Sequence, residues 1–325
     1  MTYLFKKKLF IIAEIGSNHC GKKKLAFKAI DEAKKSGADA IKFQTIDFKE
    51  IYKKPREYER RYPNIKIPIS WYPALYKRAK KKKILISTSP TYLKAIKEVK
   101  NYIDFFKIAS PQSTGFNQII EEIIKTKKKF IISTGYCDEK RIKQLIKKIK
   151  KKNCAILHCI SDYPPENKSI NMNYLNKLKK ISKLPVGFSD HTIGDEASIL
   201  AIGQGATIIE KHVRLKETDR ASPDFKNSME FSSFKQFVRK CHTSFQMLGS
   251  QKKFLTTNEI KLRKKLLVYP FYKSSYKKGK KITRNDIVFL RSNLRNYINV
   301  EKIIGKKLRK NVKTHNRIKL NDFKK

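Results

Sequence analysis

The sequence predicts an α/β fold, a (β/α)8 TIM barrel followed by a small β-rich domain. Eight short apolar runs, rich in β-branched residues, are spaced along the first 250 residues or so of the 325-residue chain. Each has the composition of a strand that is buried on both faces. A helical pattern follows every run, and this count of strand-helix units is typical of a TIM barrel.

The predicted strands and helices alternate without a break. The strands are 9–15, 40–43, 84–87, 103–108, 130–133, 154–158, 186–188 and 207–209. The helices are 25–35, 71–82, 91–100, 116–127, 139–151, 172–181, 196–204 and 231–248. A doubly wound open sheet is the alternative, but the segment from Gly16 to Gly21 lacks the GxGxxG turn that such a sheet usually carries.

The pattern changes after Gly249. Residues 250–269 read as a charged connector, and the remainder combines short strands with turns. We therefore predict a barrel domain over 1–249, a linker over 250–269 and a small cap domain over 270–325. The cap is too small to hold a site by itself.

Composition limits the classes of function. The sequence has no apolar run long enough to span a bilayer and no signal-peptide pattern, so we expect a cytoplasmic protein without a membrane partner. The five cysteines form no CxxC pair and read as reduced thiols. The formal charge of +48 would favour nucleic acid, but the lysines are spread over nearly every helix, so we expect no nucleic-acid partner. Such a field would still attract an anionic substrate.

Barrel enzymes hold their site at the C-terminal ends of the strands, and here those ends are unusually reactive. The polar residues in or just beyond the strand ends include Glu14, Lys42, Gln44, Thr88, Lys107, Ser110, Ser133, His158, Ser161, Ser189, His191, Glu210 and His212. Lys42 and Lys107 lie inside apolar strands, where an unpaired ammonium group is costly, so each implies an anionic partner or ligand. A lysine that reaches bulk water is the alternative for each.

The histidines and hydroxyls suggest two kinds of ligand. His191 and His212 close adjacent strands, and two neutral imidazoles suit a Mn, Fe, Co or Zn ion acting as a Lewis acid on a carbonyl. A buried structural histidine is the alternative, and the stronger one for His158. The strand-end hydroxyls with Lys42 and Lys107 could hold a phosphate and a carboxylate together, so a small substrate with two anionic groups fits.

Eight short motifs contain these strand-end residues. They are Ala13-Glu-Ile-Gly-Ser-Asn-His19, Ile41-Lys-Phe-Gln-Thr45, Ile86-Ser-Thr88, Phe105-Phe-Lys-Ile-Ala-Ser110, Ile132-Ser-Thr-Gly135, Leu157-His-Cys159, Gly187-Phe-Ser-Asp-His-Thr192 and Ile209-Glu-Lys-His212. In these motifs and in their order the chain resembles the sialic acid synthases. The resemblance covers almost the whole length of the chain, including a cap similar to the family's antifreeze-like (SAF) domain.

The resemblance implies roles for single residues. His191 and His212 would hold a divalent ion, most often Mn²⁺ with Mg²⁺ or Co²⁺ as alternatives, that polarises the aldehyde of an open-chain sugar. The residues implied to bind phosphoenolpyruvate are Lys42, Thr88, Lys107, Ser110, Ser133 and Ser189. Glu14, Gln44 and Tyr163 would line the site, and Glu210 would manage protons beside the metal. Arg291, in Val288-Phe-Leu-Arg291 of the cap, would enter the partner's barrel in a domain-swapped homodimer.

Two departures from the family pattern concern the sugar side. Ser161 replaces a frequent Asn, and Ala221-Ser-Pro-Asp224 replaces Gly-Pro-Asp, although both Ser161 and Asp224 are still expected to bind substrate. The implied reaction joins phosphoenolpyruvate to an N-acetylated amino sugar, N-acetylmannosamine first, with the diacetamido 6-deoxy sugars of legionaminic or pseudaminic acid as alternatives. A Schiff-base aldolase that uses Lys42 or Lys107, and a basic nucleic-acid-binding protein, are the competing hypotheses.

Overall fold

A computed structural model of the chain describes residues 9–149, 153–292 and 298–323. Its main feature is a closed barrel of eight parallel strands. The strands are β1 (Phe10–Glu14), β2 (Ala40–Thr45), β3 (Leu85–Pro90), β4 (Phe105–Ile108), β5 (Lys129–Ser133), β6 (Cys154–Cys159), β7 (Val186–Asp190) and β8 (Ile208–Arg214). Each strand pairs with the next and β1 pairs with β8, which closes the barrel and confirms the predicted TIM fold.

Helices connect successive strands, as the apolar periodicity predicts. They are α1 (Lys23–Lys35), α2 (Phe48–Ile51), α3 (Pro55–Arg61), α4 (Tyr72–Lys82), α5 (Leu93–Val99), α6 (Ser110–Gly115), α7 (Asn117–Lys125), α8 (Glu139–Ile149), α9 (Asn173–Ser182), α10 (Glu196–Gly203) and α11 (Phe231–Met247). The short helices α2, α3 and α6 were not predicted, because too few residues are present to show a period. The last two residues predicted for α8, 150 and 151, lie outside the described residues.

Two apolar clusters show which strand side chains point into the barrel and which point toward the helices. Phe10, Ile12, Phe105, Leu157 and Ile208 belong to a small cluster inside the barrel. A much larger cluster lies between the strands and the surrounding helices. Because side chains alternate along a strand, the residues two positions after the inner ones also point inward. The inner face therefore turns polar only at the C-terminal end of the barrel.

The chain divides into two compact units after Gly249. The second unit begins with an exposed segment that contains α12 (Thr257–Leu266), whose first turn is closed by a capping box between Thr256 and Glu259. Two antiparallel strands follow, Val268–Tyr272 and Ile287–Arg291. This unit has a core of its own, formed around Tyr272, and none of the helices in the described ranges could cross a membrane.

Candidate active site

Two lysines and two glutamates form a buried charge cluster at the C-terminal end of the barrel. Glu14 on β1 forms an ion pair with Lys42 on β2. Lys107 on β4 donates to Oε1 of Glu210 on β8 at 3.0 Å, and Nζ of Lys42 lies 3.8 Å from Oε2 of the same glutamate. All four residues are at most 3% exposed. The sequence predicted an anionic partner or ligand for each of the two lysines, and carboxylates of the protein itself are among these partners.

Burial and charge give the two carboxylates opposite properties. Burial raises the pKa of Glu14 to about 7, although the neighbouring ammonium of Lys42 opposes the shift. Burial also disfavours the charged form of Glu210, but Lys107 and Lys42 outweigh it and lower the pKa to about 2. The pKa of Lys107 is itself lowered by burial. At neutral pH the cluster thus holds one ionised carboxylate and one that can exchange a proton.

Polar neighbours complete this cluster. Gln44 donates to Oε1 of Glu14 at 3.1 Å, and Ser189 donates to Oε1 of Glu210 at 2.9 Å. Lys42 also donates to Oγ of Ser89 at 3.3 Å. The predicted residues Gln44 and Ser189 therefore lie with the four charged groups, and Ser89 joins them without having been predicted.

The position of Thr88 differs from the sequence prediction. Its hydroxyl lies on the outer face of β3, 2.7 Å from the hydroxyl of Tyr72 on α4 and 2.8 Å from that of Thr45. The inner face of β3 carries Ser87 and Ser89 instead, since side chains alternate along the strand. The structure does not bring Thr88 to the site, and alternation counted from the inward-facing Leu85 would have identified Ser89.

Serine hydroxyls cluster beside Lys107 at the ends of β4, β5 and β6. Ser110, Ser133 and Ser161 are all buried, and the Oγ atoms of Ser133 and Ser161 have no hydrogen-bond partner among the described residues. The backbone of Gly135 closes on this group, because a Cβ there would lie 2.1 Å from Oγ of Ser161 and 2.6 Å from Oγ of Ser110. Unused buried donors next to a lysine form a site that suits an anion.

The side chain of Cys159 lies at the site, although the sequence analysis gave it no role there. The residue ends β6 on the inner face, and Ser110 donates to its Sγ at 3.7 Å. Its Sγ also lies 4.0 Å from Nδ1 of His191. Burial disfavours the thiolate, yet His191 and Lys107 outweigh it and lower the pKa of the thiol. Because Ala155 and Leu157 point inward, the same alternation predicts an inward Cys159.

His191 and His212 lie side by side, with ring centroids 5.4 Å apart. Nδ1 of His191 donates to the carbonyl oxygen of Ile160 at 2.8 Å, which leaves Nε2 of the neutral ring with a free lone pair. Burial lowers the pKa of His212 and so favours its neutral form, and its Nδ1 has no hydrogen-bond partner within the described ranges. Two neutral imidazoles with available nitrogens fit a divalent metal ion.

A carboxylate oxygen lies near this pair of histidines. Oδ1 of Asp224 lies 3.9 Å from Nδ1 of His212, while its Oδ2 accepts from the backbone N–H and the hydroxyl of Ser17, each at 2.7 Å. Among the described residues, no three His, Cys, Asp or Glu side chains are close enough to form a preassembled metal cluster. A metal at His191 and His212 would therefore keep positions open for water or substrate.

Three other predicted residues have distinct positions. The ring of Tyr163 stacks on His191 at 4.0 Å between centroids, so it covers the histidine pair. His158 points outward from β6, where its Nε2 contacts the carbonyl oxygen of Ile170 at 2.7 Å, as expected for a structural histidine. Arg291 ends the second strand of the C-terminal unit and is exposed.

The fold and the site together define a TIM-barrel protein. The C-terminal end of its barrel carries buried charged groups, two histidines that fit a metal ion and hydroxyls that fit an anion. The chain belongs to the NeuB family, whose model matches residues 29–253. It is 32% identical to a pseudaminic acid synthase of Campylobacter jejuni over 98% of this chain and 97% of that protein. It is 30% identical to an N,N'-diacetyllegionaminic acid synthase of Campylobacter jejuni over 94% of this chain and 98% of that protein.

A solved structure shows the same architecture. The crystal structure of N-acetylneuraminic acid (sialic acid) synthetase from Leptospira borgpetersenii, in complex with citrate, superimposes with a TM-score of 0.73 at 30% identity. The match covers 80% of this chain and 93% of that one. These comparisons confirm the resemblance to sialic-acid-type synthases that the ordered motifs predict.

Proposed function

We propose that the protein condenses phosphoenolpyruvate with the open-chain aldehyde of an N-acetylated amino sugar, giving a nonulosonic acid and phosphate. The observation that carries the proposal is the set of groups at the C-terminal ends of the strands: two buried lysines, Lys42 and Lys107, and the buried hydroxyls of Ser133 and Ser161, which have no hydrogen-bond partner among the described residues. This arrangement supplies two cations and free donors for a phosphate and a carboxylate held side by side.

In the proposed reaction, C3 of phosphoenolpyruvate attacks the aldehyde carbon. Water adds to the cation left at C2, and phosphate departs with cleavage of its C–O bond. Glu14, with a pKa near 7, can take a proton from the water or return one to the new hydroxyl. Glu210 stays ionised and holds the ammonium of Lys107 in place.

His191 and His212 would hold the divalent ion, for which Mn²⁺ is our first choice. When bound, the ion supplies Lewis acidity to the aldehyde oxygen. The hydrogen bond from Nδ1 of His191 to the carbonyl oxygen of Ile160 fixes the tautomer, so Nε2 is the nitrogen that would hold the ion. Asp224 lies close to His212 and is held by Ser17, and its carboxylate would accept a hydrogen bond from the sugar.

The identity of the sugar is the finer part of the proposal. The sequence analysis ranks N-acetylmannosamine first. The similarity to a pseudaminic acid synthase, which extends over nearly the whole of both chains, favours a diacetamido 6-deoxy sugar. Of the two departures from the family pattern, Ala221-Ser-Pro-Asp224 ends beside His212, where the sugar would bind, and it fits a sugar other than N-acetylmannosamine. Ser161 lies with the hydroxyls proposed to hold the anion.

Phosphate release from phosphoenolpyruvate tests the reaction and the sugar together. The metal-stripped protein is assayed with N-acetylmannosamine and with each diacetamido sugar, with Mn²⁺, Mg²⁺ or Co²⁺ added back. We expect metal-dependent release with one sugar and retention of a bridging ¹⁸O label in the phosphate. No release with any sugar would refute the proposal. Borohydride trapping of pyruvate on Lys42 or Lys107 would then support the aldolase.

The metal assignment has a separate test. His191→Ala and His212→Ala should each lose most phosphate release and weaken Mn²⁺ binding, measured by the signal of free Mn²⁺ in electron paramagnetic resonance. His242→Ala, on α11, is the control and should behave as the parent protein. Either site variant would contradict the assignment if it kept both turnover and tight metal binding.

A homodimer is also part of the proposal. None of the residues of α12 is buried, and the exposed residues there and next to it include Phe254, Leu255, Ile260, Leu262 and Leu266. A single exposed apolar residue is ordinary, but a run of them marks a surface that another protein covers. We propose that a second copy covers it and that the second unit carries Arg291 to the partner's sugar site.

A further inference from the structure

A further buried ion pair lies on the outer face of the barrel, behind the two histidines. Asp190 and Lys211 are register partners on β7 and β8, and Nζ of Lys211 lies 2.9 Å from Oδ2 of Asp190. Their exposed fractions are 0% and 1%. Asp190 directly precedes His191 and Lys211 directly precedes His212. The pair therefore joins the two strands at the positions from which the histidines extend.

Hydrogen bonds extend this pair around His191. Lys211 donates to the carbonyl oxygen of Thr192 at 2.6 Å. The backbone N–H and the hydroxyl of Thr192 donate to Oδ1 of Asp190 at 2.8 and 2.7 Å. Ser198 on α10 donates to Oδ2 of Asp190 at 2.6 Å. Both neighbours of His191 in the chain are thus held, and one of them is tied to a helix.

This network restrains geometry more than it adds stability. A buried ion pair often contributes no more to stability than apolar residues of similar volume, whereas its bonds act only in one arrangement. Groups behind metal-binding histidines commonly set ring orientation and metal affinity. We propose that Asp190 and Lys211 are positioning residues that set the separation and orientation of His191 and His212 for the divalent ion. This inference rests on the proposed function.

Mn²⁺ binding to the full chain tests this role. The double variant Asp190→Asn/Lys211→Met removes both charges and so leaves no unpaired ion in the core. We expect it to bind Mn²⁺ roughly 10- to 100-fold more weakly, with the KM for phosphoenolpyruvate changed less than about threefold. Ser198→Ala, which removes one hydrogen bond, should weaken Mn²⁺ binding less. Tyr72→Phe is the control. It removes a hydrogen bond that joins α4 to the outer face of the barrel at β3, and it should keep the parent affinity for Mn²⁺.

Imidazole NMR signals of the metal-free protein give a second readout. The double variant should shift the His191 and His212 signals and leave that of His158 in place. A folded double variant with parent Mn²⁺ affinity and unchanged signals would overturn the proposal. If the double variant does not fold, Ser198→Ala decides by the same two measurements. If the parent protein binds no Mn²⁺, the metal part of the proposed function fails, and the NMR signals alone decide whether the pair positions the histidines.

Discussion

Glu14 and Glu210 lie in one buried cluster, yet they differ in the number of cations that face them. Lys42 and Lys107 both approach Glu210 and keep it ionised. Within the described part of the chain, Glu14 has Lys42 alone as an ion-pair partner, and burial brings its pKa to about 7. A carboxyl group that titrates near the working pH is suited to proton transfer, whereas an ionised one is suited to holding cations in place.

Glu14→Gln tests this division of roles. The amide keeps the shape of the side chain but cannot ionise, so we expect kcat to fall about 10²-fold or more. The limb of the parent pH–rate profile near pH 7 should disappear with it. Glu139→Gln is the matched control: Glu139 on α8 is half-buried and ion-paired with Lys143 and Lys177, away from the site, so this change should leave kcat unchanged. A Glu14→Gln enzyme with parent kcat would remove Glu14 from the chemistry.

His19 is a buried histidine whose charge state affects stability. Its Nδ1 accepts from the backbone N–H of Gly21 at 3.1 Å, and its Nε2 has no partner among the residues described. Burial lowers its pKa from 6.5 to about 4. Because protonation is easier in the unfolded chain, the neutral ring supports the fold above about pH 6.5, and this support is lost as the pH falls toward 4.

We therefore expect acid to destabilise the protein partly through His19. Between pH 7 and pH 5 this one group should remove about 2 kcal/mol from the free energy of unfolding. Urea denaturation at both pH values measures it. The decrease in the free energy of unfolding from pH 7 to pH 5 should be smaller by that amount in His19→Gln. In His242→Gln it should equal that of the parent. Equal losses in the parent and in His19→Gln would contradict the assignment.

At the scale of elements, the loop after β1 and the loop after β8 are held together by hydrogen bonds. Nδ2 of Asn18 donates to the carbonyl oxygen of Val213 at 2.9 Å and to Oγ of Ser228 at 2.7 Å. Its Oδ1 accepts from Ser222 at 2.8 Å. Ser17 binds Asp224 in the same region. These bonds place the Asp224 carboxylate next to His212.

Gly16 begins this loop in a conformation that suits glycine. Its φ is +49°, and a Cβ there would lie 2.3 Å from Oδ2 of Asp224. We expect Gly16→Ala to cost about 1–3 kcal/mol of stability and to displace Asp224. Activity should then fall even where the protein remains folded. Gly203→Ala in α10 is the control, because its Cβ would meet no atom within 4 Å and its backbone is helical.

Thermal unfolding and phosphate release together decide this prediction. The expected result is a lower melting temperature and lower kcat for Gly16→Ala, with Gly203→Ala as stable as the parent or slightly more so. Full activity in a folded Gly16→Ala protein would show that the position of Asp224 does not matter.

At the scale of the whole molecule, the proposed exchange of Arg291 between subunits can be tested by mixing. Arg291→Ala and His212→Ala are each expected to be nearly inactive as homodimers. In a mixed dimer, one barrel retains His212 and receives Arg291 from the partner, so one intact site forms. Equal amounts that exchange freely should recover about a quarter of the parent activity.

The control for this experiment is a mixture of His212→Ala with His191→Ala. Both changes affect the barrel itself, and no mixed dimer can then assemble an intact site. Recovery only in the first mixture supports an Arg291 supplied by the partner. If neither mixture recovers activity while subunit exchange is shown by mass spectrometry, Arg291 acts within its own chain or not at all.

The apolar pattern of the sequence was enough to predict the barrel and most of the residues at the C-terminal end of the barrel. A strand covered on both faces must be almost entirely apolar, so the eight runs are visible in the sequence, and polar residues such as Lys107 are conspicuous exceptions. Because the barrel gathers the C-terminal ends of all strands, such exceptions could be assigned to one site before any distance was known.

The fold was needed to establish which face of each strand points into the barrel and which distant residue each side chain contacts. Thr88 and Ser89 are neighbours in the chain, but strand geometry sends their side chains to opposite faces, and Cys159 is at the site for the same reason. The hydrogen bond between Ser17 and Asp224 joins residues 207 positions apart. Such a contact depends on the closure of β1 against β8, which no local pattern in the sequence specifies.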